Sequence, residues 1–165
     1  MKNVLMLALA AAVIATPAAA QAPAHAHAGH AAHSAHPAPE RAVSAEEAEV
    51  RAALQHYLNG HATGLGSEFA AVMHPEMKMM FIRDGQLTQR TSAEYIAGTS
   101  GRPAADESQR RRWIESVDVT GNAAVAKIVL DYPTTRLTDY FTLLKIDGEW
   151  KIMNKIFHAE PKTGN

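Results

Sequence analysis

The chain has 165 residues, of which 47% are hydrophobic and 20% charged, and its formal net charge is -1. This length suits one domain, and the charge excludes the basic excess with which nucleic-acid-binding proteins attract phosphates. The absence of cysteine excludes disulfide scaffolds, thiolate zinc sites and cysteine nucleophiles. Because the sequence also has no dinucleotide, phosphate-loop or G-x-S-x-G motif, we expect no cofactor and no nucleic-acid partner.

Residues 1–20 have the pattern of a secretory signal peptide. Lys2 supplies the positive start, residues 4–15 form an unbroken apolar run, and Ala18 to Ala20 offer a cleavage site. The apolar run is too short to span roughly 30 Å of hydrocarbon as a membrane anchor. We therefore expect a periplasmic or secreted protein that has no contact with the membrane once the signal is removed.

Residues 21–41 form a linker rich in alanine and proline. It lacks the large apolar residues that offset chain entropy, which predicts disorder. Neutral imidazoles bind borderline metals such as nickel, copper and zinc, so the tract is a candidate metal site; a flexible tether is the alternative. Its histidines are His25, His27, His30, His33 and His36.

The folded domain is expected over residues 42–160, with a tail at 161–165. Ser44 and Glu47 form a capping-box pattern that opens a first helix, which should end near Gly60. The apolar stripe of this helix consists of Val50, Leu54, Tyr57 and Leu58.

Two further helices and six strands follow in the predicted order. A helix from Ser67 to about Met73 stops before Pro75, and a third helix opens at the Thr91–Glu94 capping box and ends at Gly98. The predicted strands are Met77 to Arg83, a short partner ending near Gln89, and residues 107–119, 123–132, 136–146 and 150–158. Helices followed by a strand meander predict an α+β fold, with the helices on one face of an antiparallel sheet.

Lysines predict which side chains face the interior, because side chains alternate along a strand. Lys127, Lys145, Lys151 and Lys155 are assigned to the solvent side, and Asp131 and Asp139, which share their parity, should also point away. A three-residue loop at 146–148 is preferred over a two-residue turn, since the latter would place Lys145 on the same face as Trp150. The inward set is then Ala124, Ala126, Ile128, Leu130, Tyr132, Tyr140, Thr142, Leu144, Trp150, Ile152, Asn154, Ile156 and His158.

A two-residue turn at Gly121-Asn122 pairs Val119 with Ala124 and, by parity, brings Trp113 and Glu115 inward. The opposite face of the sheet is half apolar and needs a partner, which we expect to be a second copy of the chain. Its apolar residues are predicted to be Val125, Val129, Phe141, Leu143, Met153 and Phe157.

The run from Thr138 to Ile152, TDYFTLLKIDGEWKI, followed by Asn154 to Phe157, resembles the "Putative lumazine-binding" family of the nuclear transport factor 2-like superfamily. The end of the first helix at residues 57–60 and His74-Pro75 are similar as well. The resemblance covers residues 43–158. It implies a curved, cystatin-like sheet wrapped around the N-terminal helices as a cone, a pocket at the open end and a homodimer. It does not select a reaction.

Three functions are compatible with these features. The leading one is an exported module that binds a small organic molecule. The second is a lyase or isomerase in which Glu115 and His61 or His74 transfer protons, while Tyr132 and Tyr140 donate hydrogen bonds to an oxyanion. The third is metal handling by the histidine tract. The predicted pocket consists of Tyr57, His61, His74, Met79, Phe81, Tyr95, Trp113, Glu115, Tyr132, Tyr140, Asn154 and His158.

Overall fold

A computed structural model describes residues 43–163, so the predicted signal peptide, linker and histidine tract lie outside the described residues. The helices and strands are α1 (Ala45–Thr63), α2 (Gly66–Val72), β1 (Met73–Arg83), β2 (Gln86–Thr91), α3 (Ser92–Ala97), β3 (Arg111–Thr120), β4 (Ala123–Asp131), β5 (Thr135–Ile146) and β6 (Glu149–Pro161). A short 3-10 turn, Glu107–Gln109, precedes β3. Between residues 43 and 163, no helix has the length and apolar character that crossing a membrane requires.

The capping residues expected from the sequence begin α1 and α3. The Ser44 hydroxyl accepts a hydrogen bond from the amide of Glu47 at 3.1 Å, and Thr91 and Glu94 form a reciprocal capping box. Helix α1 extends three residues beyond Gly60 and ends at Gly64, which has a φ of 72°. This left-handed conformation at a helix end favours glycine because it has no Cβ.

The six strands form one curved, unclosed sheet in the order β2-β1-β6-β5-β4-β3. All neighbouring strands are antiparallel except β1 and β6, which are parallel. The core lies between the sheet and α1, where Val50, Leu54 and Tyr57 are fully buried together with Ile128 and Ile152. The fold is therefore α+β, as expected.

The hairpin between β5 and β6 differs from the prediction. Ile146 pairs with Glu149 and Lys145 with Trp150, so the connection is a two-residue turn and the expected three-residue loop is wrong. Asp147 and Gly148 have φ values of 52° and 85°. Positive φ at both central residues is the geometry that matches the twist of a tight hairpin. Lys145 is half-buried because its ammonium group pairs with Glu49 of α1 at 2.5 Å.

This register reverses the predicted faces of β5. The buried side chains are Asp139, Phe141 and Leu143, whereas Tyr140 and Leu144 are exposed. Thr142 is also exposed. The orientations predicted for this strand, including that of Asp139, were therefore wrong because Lys145 was assigned to the solvent side.

A bulge in β3 makes a second prediction wrong, namely the inward orientation of Trp113 and Glu115. The turn at Gly121-Asn122 does pair Val119 with Ala124, as expected, but the register shifts between Ile114 and Ser116. A bulge inserts one residue and thereby exchanges the two faces beyond it. Glu115 is consequently exposed and Trp113 is 37% exposed, so neither points into the interior.

A bulge in β6 has the larger consequence. Ile152 pairs with Leu143 and Asn154 with Thr142, which leaves Met153 as the extra residue. Before the bulge, Trp150 and Ile152 face inward as predicted. After it, Lys155 is 3% exposed and buried, whereas Asn154, Ile156 and His158 lie on the exposed side. The bulge thus moves a lysine into the core.

The face of the sheet away from α1 also has a different composition from the one predicted. Phe141 and Leu143 belong to the core, and Phe157 packs against it. Val129 is 2% exposed, and Val125 is exposed as expected. The other exposed apolar side chains here are Tyr140, Leu144 and Ile156, which come from the reversed positions of β5 and β6.

Candidate functional site

Six polar side chains meet inside the cone and form what we call the inner polar cluster. Helix α1 contributes Tyr57 and His61, α3 contributes Tyr95, and Tyr132 follows the end of β4. Strands β5 and β6 contribute Asp139 and Lys155. Tyr57 and Lys155 are 98 positions apart in the sequence, so the cluster exists only in the folded chain.

The centre of the inner polar cluster is a buried ion pair. The ammonium group of Lys155 lies 2.9 Å from Oδ2 of Asp139 and donates to the hydroxyl of Tyr57 at 2.5 Å. The Tyr57 hydroxyl donates in turn to the same carboxylate oxygen at 2.6 Å. Asp139 is 0% and Lys155 3% exposed. Buried charges are tolerated when they are paired and hydrogen-bonded, as they are here.

Aromatic rings surround the Lys155 ammonium group. It lies 4.9 Å from the ring centre of Phe157, 5.1 Å from that of Tyr57 and 5.6 Å from that of Tyr95. Removal from water lowers the pKa of Lys155, and the Asp139 carboxylate opposes this shift. Burial also raises the pKa of Tyr57 well above its ordinary value, so this phenol stays protonated. Rings and carboxylate together hold the lysine inside the core.

His61 connects this centre to the protein surface. Its Nε2 lies 3.0 Å from the hydroxyl of Tyr95, and its Nδ1 lies 3.2 Å from the hydroxyl of Tyr132. Burial, followed by the positive charges of Lys155, Arg112 and Arg110, lowers the pKa of His61 well below 6.5. The imidazole is therefore neutral near pH 7 and has one donor and one acceptor nitrogen.

A neutral imidazole between two phenols imposes a direction on the hydrogen bonds. One tyrosine donates to the unprotonated nitrogen of His61, and the other accepts from its N–H group. Burial raises the pKa of both Tyr95 and Tyr132, so both phenols are protonated. The hydroxyl of Tyr95 also hydrogen-bonds with that of Tyr57, which links His61 to the buried ion pair.

A cavity of about 280 Å³, which we call the His61 cleft, opens next to these groups. His61 and Tyr95 line it together with the ring of Phe69. The ring centres of Phe69 and Tyr95 are 5.1 Å apart, and those of Phe69 and His61 are 5.2 Å apart. The complete lining is Gly60, His61, Gly64, Phe69, Arg90, Tyr95, Gly98, Thr99, Ser100, Arg102, Ala104 and Arg110.

Two larger cavities are less suited to chemistry. One of about 620 Å³ lies between α1, α2 and the β5–β6 hairpin. Its charged lining groups are already paired, Glu49 with Lys145 and Glu149 with Lys151. The other, about 540 Å³, is a groove across the face of the sheet away from α1, and we call it the outer groove. The His61 cleft is the cavity into which the inner polar cluster opens, which makes it the candidate site.

Only part of the predicted pocket comes together at this site. His61 and Tyr95 line the His61 cleft, and Tyr57 and Tyr132 belong to the cluster behind it. Met79 and Phe81 are core residues. Tyr140 and Asn154 line the outer groove instead. Trp113 is partly exposed beside Arg136, and His158 is exposed.

The proposed acid–base pair is not assembled. Glu115 is exposed and forms an ion pair with Lys127 at 2.8 Å. His74 accepts a hydrogen bond from the amide of Glu76 through Nδ1 at 3.1 Å, next to the start of β1. Of the three weak catalytic candidates, only His61 lies at the site. The parity argument failed for Glu115 because the bulge in β3 places it on the opposite face.

Sequence reasoning missed Asp139 and Lys155. Lysine and aspartate on a strand normally indicate the solvent side, and here both are buried. The available signal was that Lys155 shares one face of its strand with the aromatic Phe157. Among residues 43–163, no group of three or more histidine, aspartate or glutamate side chains is arranged to hold a metal ion.

Comparison with known proteins identifies the family and the fold of the domain. Residues 45–158 match the family model described as "Putative lumazine-binding". An NTF2-like protein of unknown function from Shewanella baltica OS155 superposes with a TM-score of 0.64 at 24% identity, covering 71% of this chain and 95% of that one. A protein of the same description from Methylobacillus flagellatus KT gives 0.60 at 26% identity, covering 72% and 95%.

A similar protein from Silicibacter pomeroyi DSS-3 has a TM-score of 0.63 and 21% identity, covering 73% of this chain and all of that one. The curated relative aldolase FrzH from a Cladobotryum species is 35% identical over 51 residues. That match spans 30% of this chain and 41% of the relative. The family match covers more than two thirds of the sequence and the same fold recurs in the solved structures. The chain belongs to the "Putative lumazine-binding" family of NTF2-like proteins.

Proposed function

We propose that this protein is exported and binds a small organic molecule in the His61 cleft. One observation carries the proposal: a neutral, hydrogen-bonded histidine and a protonated tyrosine line a cavity that is backed by a buried polar network. Convergent polar groups beside aromatic rings in a cavity are typical of ligand sites. The family membership supports a small-molecule ligand, and the signal-peptide pattern supports export to the periplasm or beyond.

The proposal is tested by filling the cavity. Gly98 lines the cleft, and a Cβ at this position would meet only ordinary contacts of 3.5 Å with backbone oxygens. Gly98→Trp should therefore fold and occlude the site. Ala97→Trp is the matched control, because Ala97 is exposed on the same helix and does not line the cleft.

Native mass spectrometry of the purified protein should reveal a carried-over compound in the wild type and in Ala97→Trp but not in Gly98→Trp. An NMR screen of single-ring compounds, neutral and charged, provides the second readout. Compounds that perturb the amide of Gly60 in the wild type should lose this effect in Gly98→Trp. Unchanged binding by the occluded variant would place the ligand elsewhere and overturn the proposal.

A second candidate function is proton transfer on the bound molecule. Tyr95 lines the cleft and its hydroxyl is hydrogen-bonded to His61. A phenol held in this way can stabilise a developing oxyanion by a hydrogen bond. The relative that matches over 51 residues is named aldolase FrzH. Deuterium exchange from solvent into an acidic C–H of an identified ligand, lost in Tyr95→Phe, is the expected sign of this activity.

We also propose that the outer groove is covered by a second copy of the chain. Val125, Tyr140 and Ile156 are 52%, 47% and 52% exposed on this face, and the groove runs across β1, β6, β5, β4 and β3. Contiguous exposed apolar surface marks interaction sites, and pairing the same face about a two-fold axis buries it on both copies. Metal binding by the histidine tract stays a prediction, because the tract lies outside the described residues.

A further inference from the structure

The wall of the His61 cleft is positively charged. Three of its residues are arginines, Arg90, Arg102 and Arg110, and none is an aspartate or glutamate. The remaining titratable groups of the wall, His61 and Tyr95, are neutral near pH 7. The lining therefore carries only positive formal charge, although the whole chain has a net charge of -1.

The three arginines differ in how far their charge is already compensated. Arg110 forms an ion pair with Asp106 at 2.8 Å, and its guanidinium lies 4.3 Å from the ring centre of Tyr132. Arg90 forms no ion pair with a described carboxylate, but its positive charge helps to lower the pKa of Glu94. Within residues 43–163, Arg102 also has no carboxylate within ion-pair distance, and it is exposed at the rim.

An arginine left without a carboxylate on the wall of a cavity is suited to an anion. The guanidinium group presents several N–H donors in a fixed plane that matches the two oxygens of a carboxylate. Walls of one sign concentrate counter-ions from solution because the low-dielectric protein focuses the field. The charge of the cleft therefore selects an acidic ligand over a neutral or basic one.

The shape of the cleft limits the rest of the molecule. Its volume, about 280 Å³, lies at the lower end of the range of roughly 300–1,000 Å³ for ligand pockets. The rings of Phe69, His61 and Tyr95 form an aromatic floor. A Cβ at Gly60 would lie 2.7 Å from the Phe69 ring, so this glycine lets the ring pack directly against the backbone of α1.

We propose that the His61 cleft binds a small carboxylic acid with a single ring, whose ring lies on the Phe69–Tyr95 floor and whose carboxylate pairs with Arg102. This inference rests on the proposed function and adds the ligand class to it. Arg90 and Arg110 contribute positive potential from the same wall.

The test compares three probes with the full-length protein by NMR titration: benzoate, its neutral analogue benzamide, and inorganic phosphate. Benzoate should shift the amide signals of Gly60 and Gly98 and should bind at least about tenfold more tightly than benzamide, the change that one charge-assisted contact confers. Phosphate should bind more weakly than benzoate, because it lacks a ring to contact the aromatic floor.

Substitutions of Arg102 separate the contribution of its charge from that of its planar donor group. Arg102→Ala should weaken benzoate binding about tenfold and leave benzamide binding unchanged, whereas Arg102→Lys, which keeps the charge but not the planar donors, should fall between the two. Arg111→Ala is the matched control, since Arg111 is exposed, carries the same charge and lies outside the cleft.

Three outcomes of these experiments would contradict the inference. Equal affinities for benzoate and benzamide that are both lost in Gly98→Trp would overturn the acidic ligand and leave the binding site standing. Phosphate binding more tightly than benzoate would show that the anion is an inorganic or phosphoryl group, which contradicts the ring acid. The absence of any shift at Gly60 and Gly98 with every probe, together with no ligand in native mass spectrometry, would overturn both the inference and the proposed function.

Discussion

The ammonium group of Lys155 is held in the core by one carboxylate, one hydroxyl and a set of aromatic rings. The pair with Asp139 is completed by Tyr57, so the two charges are compensated by short hydrogen bonds. Oδ1 of Asp139 is buried without a hydrogen-bond partner among the described residues. Such a pair is costly to break from one side, because the partner remains as an uncompensated buried charge.

Asp139→Leu should therefore destabilise the fold by about 3–5 kcal/mol, and Lys155→Met by a similar amount. The double variant, which removes both charges, should be more stable than either single variant. Urea unfolding measures all three. Lys127→Met is the control, because Lys127 pairs with Glu115 on the exposed face and should cost only about 0–1 kcal/mol. A double variant whose loss equals the sum of the two single losses would contradict a coupled buried pair.

His61 makes the stability of the fold depend on pH. Burial lowers the pKa of His61 in the folded state below 6.5, while in the unfolded chain it keeps its ordinary value. As the pH falls below about 6.5, the unfolded chain binds a proton at this position and the folded chain does not. The free energy of unfolding should then decrease by up to about 1.4 kcal/mol per pH unit from this group, until the pKa of the folded state is reached.

Chemical unfolding between pH 8 and pH 5 measures this slope. His61→Gln should have a shallower decrease than the wild type, whatever its absolute stability. Identical slopes for the wild type and His61→Gln would show that His61 titrates alike in the folded and unfolded chains.

At the scale of elements, two bulges and one turn determine which side chains meet. The bulge at Met153 sends Lys155 and Phe157 inward, the bulge in β3 sends Glu115 outward, and the tight turn at Asp147-Gly148 places Lys145 opposite Trp150. A bulge or a one-residue change of loop length exchanges the two faces of a strand. Each of these features therefore changes the composition of the candidate site.

The tight turn between β5 and β6 gives a prediction about the conformation of Gly148. Gly148 has a φ of 85°, and a Cβ there would meet no atom within 4 Å, so the cost of a side chain is conformational alone. Gly148→Ala should lower the free energy of unfolding by about 1–2 kcal/mol. Gly98→Ala should change it much less, because Gly98 has a φ of -81°. Thermal or urea unfolding compares the two, and equal losses would refute the role of the left-handed conformation.

At the scale of the whole molecule, the inner and outer faces of the sheet differ in what they contact. The inner face packs on α1 and surrounds the polar cluster, while the outer face exposes Val125, Tyr140 and Ile156 around the outer groove. The two faces have separate proposed roles. Ligand binding needs the inner cluster and the cleft, whereas association needs only the outer groove.

Light scattering at tens of micromolar should accordingly give the mass of two chains for the wild type. Ile156→Lys should yield a monomer with little loss of protomer stability, since the side chain is 52% exposed in the single chain. Ile82→Lys serves as the control, because Ile82 is 67% exposed near the β1–β2 turn and does not line the groove. A monomeric wild type would overturn the proposed dimer.

The sequence by itself determined the elements, their caps and the family. The Ser44 and Thr91 caps, the apolar stripe of α1 and the strand boundaries depend on neighbouring residues, and they agree with the structure within a few positions. His61 and Tyr95 could also be named as candidates, because they lie at the ends of amphipathic helices that pack inside the sheet.

Only the tertiary structure decided which strand residues join them. Glu115 and Lys155 have charges that favour water, yet one is exposed and the other is buried. The difference arises from bulges that depend on pairing with a neighbouring strand, which local sequence patterns do not encode. Asp139 and Tyr57 come from elements more than 80 positions apart, so the partner that makes a buried lysine tolerable appears only when the chain has folded.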